Sequence, residues 1–115
     1  MVIKYKNDTI RKQFDPQYEK QWRYPKLVVE KIKSAKGYIE IAESFLDIYQ
    51  YPPFHTHQLK GSRKGEWSIY LGKTGYRVAM IPCDDAGKEI VSGDIIGKSR
   101  HIKIVLILEV SNHYE

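Results

Sequence analysis

Residues 54–80 read FHTHQLKGSRKGEWSIYLGKTGYRVAM and hold the densest set of reactive side chains in the chain. His55, His57, Lys60, Arg63 and Lys64 fall close together, with Lys73 and Arg77 following. Fixed lysines and arginines stabilise the extra negative charge of a phosphodiester in its transition state. A histidine near neutrality takes a proton from a nucleophile or gives one to a leaving group. Gly61 and Gly65 let the loop between them turn tightly. A second set, Asn112, His113 and Tyr114, follows the most apolar segment of the chain. His113 is the better base, since an imidazole titrates at about 6.5 and a phenol at about 10, and Tyr114 is the alternative. Set against this chemistry, lone surface cations are most often a solvated loop, and Trp67, Ile69 and Tyr70 most often serve as core and surface cover. His55 reads as a surface loop residue. His55 and His57 form a His-x-His pair with no Cys or further His beside it, so no metal site and no cofactor are expected.

Charge agrees with a polyanionic partner. Nineteen Lys and Arg against 14 Asp and Glu give +5 and a pI near 9.2, which favours phosphate through counterion release. At 115 residues the chain fits one domain, residues 1–115, with a single core. The longest apolar run, residues 104–108, is far too short to span a membrane. The opening MVIKYKND has no signal-peptide character. A lone Cys83 suits a reducing cytoplasm and reads as a small buried hydrophobe.

The elements that must position these groups follow from periodicity. Residues 2–5 read as a strand. Asp8 is placed to cap a first short helix and Asp15-Pro16 to start a second, so the stretch to Trp22 reads as one bent helix or two short ones. Val28, Ile32, Ala35, Ile39, Ala42, Leu46 and Tyr49 repeat at steps of four and three, one continuous helical face after Pro25. Gly37 is its weak point, where the helix is expected to end or bend, and Pro52-Pro53 forbids continuation. Trp67, Ile69 and Leu71 alternate as a strand. Residues 73–75 turn into a second strand at 77–82, a hairpin that brings Arg77 toward the loop cations. Residues 84–87 turn again, 88–101 are ambiguous with a short strand near Ile90-Val91, and 102–110 form a buried central strand. The fold expected is α+β: helices packed on one small twisted, mainly antiparallel sheet.

The run His57-Gln58-Leu59-Lys60-Gly61-Ser62-Arg63-Lys64-Gly65-Glu66-Trp67-Ser68-Ile69, followed by Tyr76-Arg77-Val78, resembles the HigB branch of the RelE/ParE toxin superfamily. The pattern there is close to H-x-L-K-G-D-R-x-G-x-W-S-I with W-R-I on the next strand. The resemblance covers roughly residues 25–115 and is strongest at 57–78. It implies a RelE-like fold and a metal-independent endoribonuclease that cuts mRNA, usually on the ribosome, with the 2′-hydroxyl attacking the adjacent phosphate. His57, Lys60, Arg63 and Arg77 match catalytic or RNA-contacting positions. Lys64 and Lys73 join Lys60, Arg63 and Arg77 as RNA-binding residues. The implied partner is a helix-turn-helix antitoxin of the HigA kind, through which the pair reaches operator DNA. Three departures stand out. The usual closing Asp-Tyr-His is Asn112-His113-Tyr114, Ser62 replaces an acid, and the connection at 83–101 is longer than usual. Two other readings share the fold: a ParE-like poison of DNA gyrase, and a non-catalytic nucleic-acid-binding module.

Overall fold

The structure, a computed structural model, describes residues 1–112. Strand β1 (Val2–Tyr5) opens the chain, and helix α1 (Asp8–Phe14) follows. The cap of α1 is Asn7, whose side-chain oxygen accepts from the Ile10 amide at 2.9 Å. Asp8, expected at the cap, sits one residue inside instead. There it pairs with Arg11 and Lys12, and its charge suits the positive helix end. Asp15 does cap a second piece: it accepts from Gln17 at 3.1 Å ahead of a 3₁₀ segment, Pro16–Gln21. The stretch is therefore two short helical pieces.

Helix α2 (Lys26–Ile41) carries Val28, Ile32, Ala35 and Ile39 on its buried face. It runs straight through Gly37, which lies on the exposed side. A glycine costs a helix only about 1 kcal/mol relative to alanine, less than burying this apolar face returns. The break comes later. Ala42 is extended, and α3 (Phe45–Tyr49) starts in a new phase. Phe45 and Ile48 are buried, whereas Leu46 and Tyr49, expected on the continuous face, are half-buried. The reset has polar causes. The Glu43 amide donates to the Asp47 carboxylate at 2.8 Å, and the Phe45 amide donates to the Ile102 carbonyl at 2.9 Å.

The sheet has five strands in the order β1-β5-β4-β3-β2, with β2 (His57–Gln58), β3 (Trp67–Tyr70), β4 (Tyr76–Cys83) and β5 (Ile104–Asn112). β1 runs parallel to β5, and the other pairs are antiparallel. The β3–β4 hairpin matches its sequence pattern. Thr74 closes it, donating to the Leu71 carbonyl at 2.7 Å and accepting from the Tyr76 amide at 3.1 Å. β5 is interior, as its apolar run predicts, but only Val105 and Ile107 are fully buried. The strand expected at Ile90-Val91 reduces to one bridge between Cys83 and Glu89 and a bond from the Ile90 amide to the Pro82 carbonyl at 2.9 Å. A short helix, α4 (Ile95–Lys98), follows, capped by Asp94.

The helices lie on one face of this sheet, which makes the fold α+β. Phe14, Val28, Ile32, Ile39, Phe45 and Ile48 pack against Trp67, Ile69, Val78, Met80, Val105 and Ile107. Trp67 meets Phe45 and Tyr49 edge to face at 5.4 and 5.9 Å. Cys83 is buried and unpaired, and burial pushes its thiol pKa up. Among the described residues no helix is long and apolar enough to cross a membrane.

We predict that Ile32→Ala lowers stability by about 2–5 kcal/mol, the cost of emptying a closed core site. Gly37→Ala is predicted to raise it by up to about 1 kcal/mol, because the position is helical and open. Urea titrations of the two variants check both. An unchanged midpoint for Ile32→Ala would contradict the assigned core.

Candidate functional site

Residues that alternate with the core positions face away from the helices. Across the sheet His57, Ser68, Ala79 and Glu109 are register neighbours, and so are Tyr70, Arg77 and Ser111. The register shifts between Ala79 and Met80, where Ala79 pairs with Glu109 but Met80 pairs with Ile107. Leu108 is the extra residue. This bulge reverses the parity of β5: Val105 and Ile107 enter the core, while Glu109 and Ser111 turn to the other face.

The result is a concavity of about 510 Å³. Ser68, Ala79 and Ser111 form its floor, and their small side chains leave the room. His57, Lys60, Arg63 and Arg77 stand around it with Gln58 and Leu59. Four of the residues singled out by chemistry are thus gathered in one place. Lys64 is exposed at the end of the 3₁₀ turn Gly61–Arg63 and does not line it. Lys73 lies in the β3–β4 turn and lines a neighbouring concavity. His55 is exposed, as expected. His113 and Tyr114 fall outside the described residues.

Local structure orients each group. His57 Nδ1 lies 2.9 Å from the His55 carbonyl oxygen. A carbonyl can only accept, so in the neutral ring Nδ1 carries the proton and Nε2 presents its lone pair. His55 holds that carbonyl in place from a left-handed conformation, φ 46 and ψ 45, at the end of the Pro52–Phe54 turn. A non-glycine residue there costs about 1–2 kcal/mol. The His57 ring also meets Tyr70 edge to face at 5.7 Å. Arg77 is fixed from the next strand, its guanidinium 4.8 Å above the Tyr70 ring.

Arg63 is held differently. Its Nε and Nη2 donate to Glu66 Oε1 at 2.9 and 2.8 Å, and Nη1 reaches Glu109 Oε1 at 3.4 Å. The hydrogen bond to Glu66, with the nearby Glu109 charge, holds its pKa above the ordinary arginine value. Arg63 consequently brings less net positive charge to the concavity than its side chain alone would, since Glu66 and Glu109 lie against its guanidinium. Sequence reasoning missed both acids. Glu109 did leave a signal: a carboxylate within an apolar strand needs a partner.

The loop is braced from an unexpected side. Gly65 is buried at φ 96, and a β-carbon there would lie 3.2 Å from Val91. Val91, in the segment 83–101 to which the sequence assigns no role, thus lies against the loop that carries Lys60 and Arg63. Among the described residues no three His, Cys, Asp or Glu side chains cluster as metal ligands.

No protein-family model and no curated protein matches the sequence. A similar solved structure is a YoeB/ParE toxin from Agrobacterium tumefaciens, 17% identical, with 99% of this chain and 100% of that chain covered and a TM-score of 0.49.

Gly65→Ala is predicted to cost more than Gly61→Ala. Both glycines have positive φ, but only Gly65 also meets backbone, whereas Gly61 has nothing within 4 Å. We expect about 1–2 kcal/mol of backbone strain for Gly61→Ala and a larger loss for Gly65→Ala. Equal losses in urea unfolding would show that the contact with Val91 is slack.

Proposed function

We propose that this chain is a toxin of the RelE/ParE superfamily, of the HigB kind, acting in the cytoplasm as a metal-independent endoribonuclease on mRNA engaged with the ribosome. The observation that carries the reading is the convergence of His57, Lys60, Arg63 and Arg77 on one concavity, with His57 Nε2 left open. The resemblance of residues 57–78 to that branch agrees with it.

The chemistry that suits these groups is transesterification. The RNA 2′-hydroxyl loses its proton and attacks the adjacent phosphorus. The bond to the 5′-oxygen breaks, and that oxygen takes up a proton, leaving a 2′,3′-cyclic phosphate and a 5′-hydroxyl end. Arg77 and Lys60 are assigned to the phosphate oxygens, where charge grows in the transition state. His57 Nε2 is assigned one of the two proton transfers, and His113 or Tyr114 the other. Arg63, already held by Glu66 and Glu109, supplies a fixed donor array more than net charge. Lys64 and Lys73 are assigned to the RNA strand beyond the cleaved bond. A helix-turn-helix antitoxin of the HigA kind is the proposed partner, and operator DNA is reached through that complex.

Incubation with mRNA, with and without ribosomes, tests the reading. We expect cleavage with cyclic phosphate ends, and on free RNA it should survive EDTA. Arg77→Ala should fold normally and lose on the order of 10²–10³ in rate. Inhibition of gyrase without RNA cleavage would favour the ParE-like role, and RNA binding without cleavage the non-catalytic one. Removing residues 113–115 should leave a folded chain that no longer cuts. Undiminished cleavage by the shortened chain would leave the proton transfers to His57 and its neighbours.

A further inference from the structure

A second concavity, of about 480 Å³, adjoins the first. The two share Arg77, which lines both. The second is different in kind. Its walls include the Tyr70 and Tyr76 rings and the His55 imidazole, with the Pro53 ring beside them. The charged residues among its lining are both cations, Lys73 and Arg77. Planar walls favour a planar, π-rich group, and stacking of a base on an aromatic ring contributes about 1–3 kcal/mol. Two cations and no carboxylate favour a group that carries phosphate. The volume suits a nucleotide, being within the range of about 300–1,000 Å³ usual for small-ligand sites.

The walls are held before anything enters. His55 packs on Tyr70 with ring centroids 5.3 Å apart, and Arg77 covers Tyr70 at 4.8 Å. Tyr76 is fixed edge-on by Tyr24 at 5.7 Å, and Tyr24 donates its hydroxyl proton to the Gln13 carbonyl at 3.0 Å. Aromatic surface restrained in this way loses little freedom on binding.

We propose that this second concavity is a nucleotide subsite, taking the base next to the phosphate held in the first. The proposal rests on the ribonuclease reading. Arg77 lies between the two, with the phosphate on one side and the stacked base on the other. Lys73 at the turn then meets the following phosphate of the same strand. The subsite favours a single strand, because a base paired in a duplex would first have to give up its pairing and stacking to enter.

The test uses 2′-O-methyl dinucleotides phosphorylated at both ends, which lack the attacking hydroxyl, stay intact and offer Lys73 a phosphate beyond the one between the two bases. One isomer carries 2-aminopurine as its 5′ base and the other as its 3′ base. Affinity is read by calorimetry and stacking by the fluorescence of the probe base. Quenching of one isomer at saturation, with the other staying bright, is expected. Tyr76→Ala should abolish the quenching. Because Tyr76 packs on Tyr24, Lys73→Glu serves as the second variant: it is exposed in a turn, and it should weaken the quenched isomer several-fold while melting as the wild type does. Binding with neither isomer quenched, or quenching unchanged in both variants, overturns the subsite and leaves the ribonuclease reading standing. Failure of both dinucleotides to bind, together with failure of the chain to cut RNA, overturns the two together. Failure to bind by a chain that does cut RNA overturns the subsite alone.

Discussion

Each of the three inner strands serves two faces at once, and register decides which residue serves which. β3 and β4 keep one parity: Trp67, Ile69, Val78 and Met80 go to the core, and Ser68, Arg77 and Ala79 to the open face. β5 cannot keep one parity and satisfy both. Without the bulge at Leu108, Val105 and Ile107 in the core would send Glu109 and Ser111 there too. A carboxylate among Ile69, Val78 and Met80 would lose its hydration with no partner in reach. A slip of one residue anywhere in these pairings would exchange core for site along the whole strand. The fold and the concavity are thus one solution to one pairing problem.

Electrostatics then sorts the cations into two roles. Arg77 rests on an aromatic face that leaves its donors open. Arg63 spends its donors on Glu66 and Glu109, and so closes the loop after β2 on itself and ties it to β5. It is more strut than charge. The same economy holds for His57, where a strained carbonyl at His55 selects which ring nitrogen is open. Rigidity at each of these positions comes from a neighbour that carries no reactivity itself.

Much of this was legible in the sequence. The steps of four and three from Val28 to Ile39, the alternation from Trp67 to Leu71 and the turn at Lys73-Thr74-Gly75 each express a single local period. The face beyond Ala42 was not legible, because Asp47 and Ile102 reset the helix through bonds that periodicity does not record. Strand β2 is only His57 and Gln58, too short to show alternation. Glu109 stood out as a carboxylate in an apolar strand, but the bulge that turns it to the open face was hidden, since the apolar run before it gives no sign of a parity change. The bracing of Gly65 by Val91 joins segments that no local pattern connects. Chemistry-bearing residue types were therefore easier to find than the groups that hold them.

The parallel pair β1 and β5 joins Val2 to Ile104. During translation β1 stays without this partner until β5 has been made. β4 waits as well, its far edge open until β5 arrives. Pairings between such distant residues form slowly, because the intervening chain must be ordered first. Ser111, part of the floor of the concavity, also leaves the ribosome late. A nascent chain therefore carries Lys60, Arg63 and Arg77 long before it carries a site.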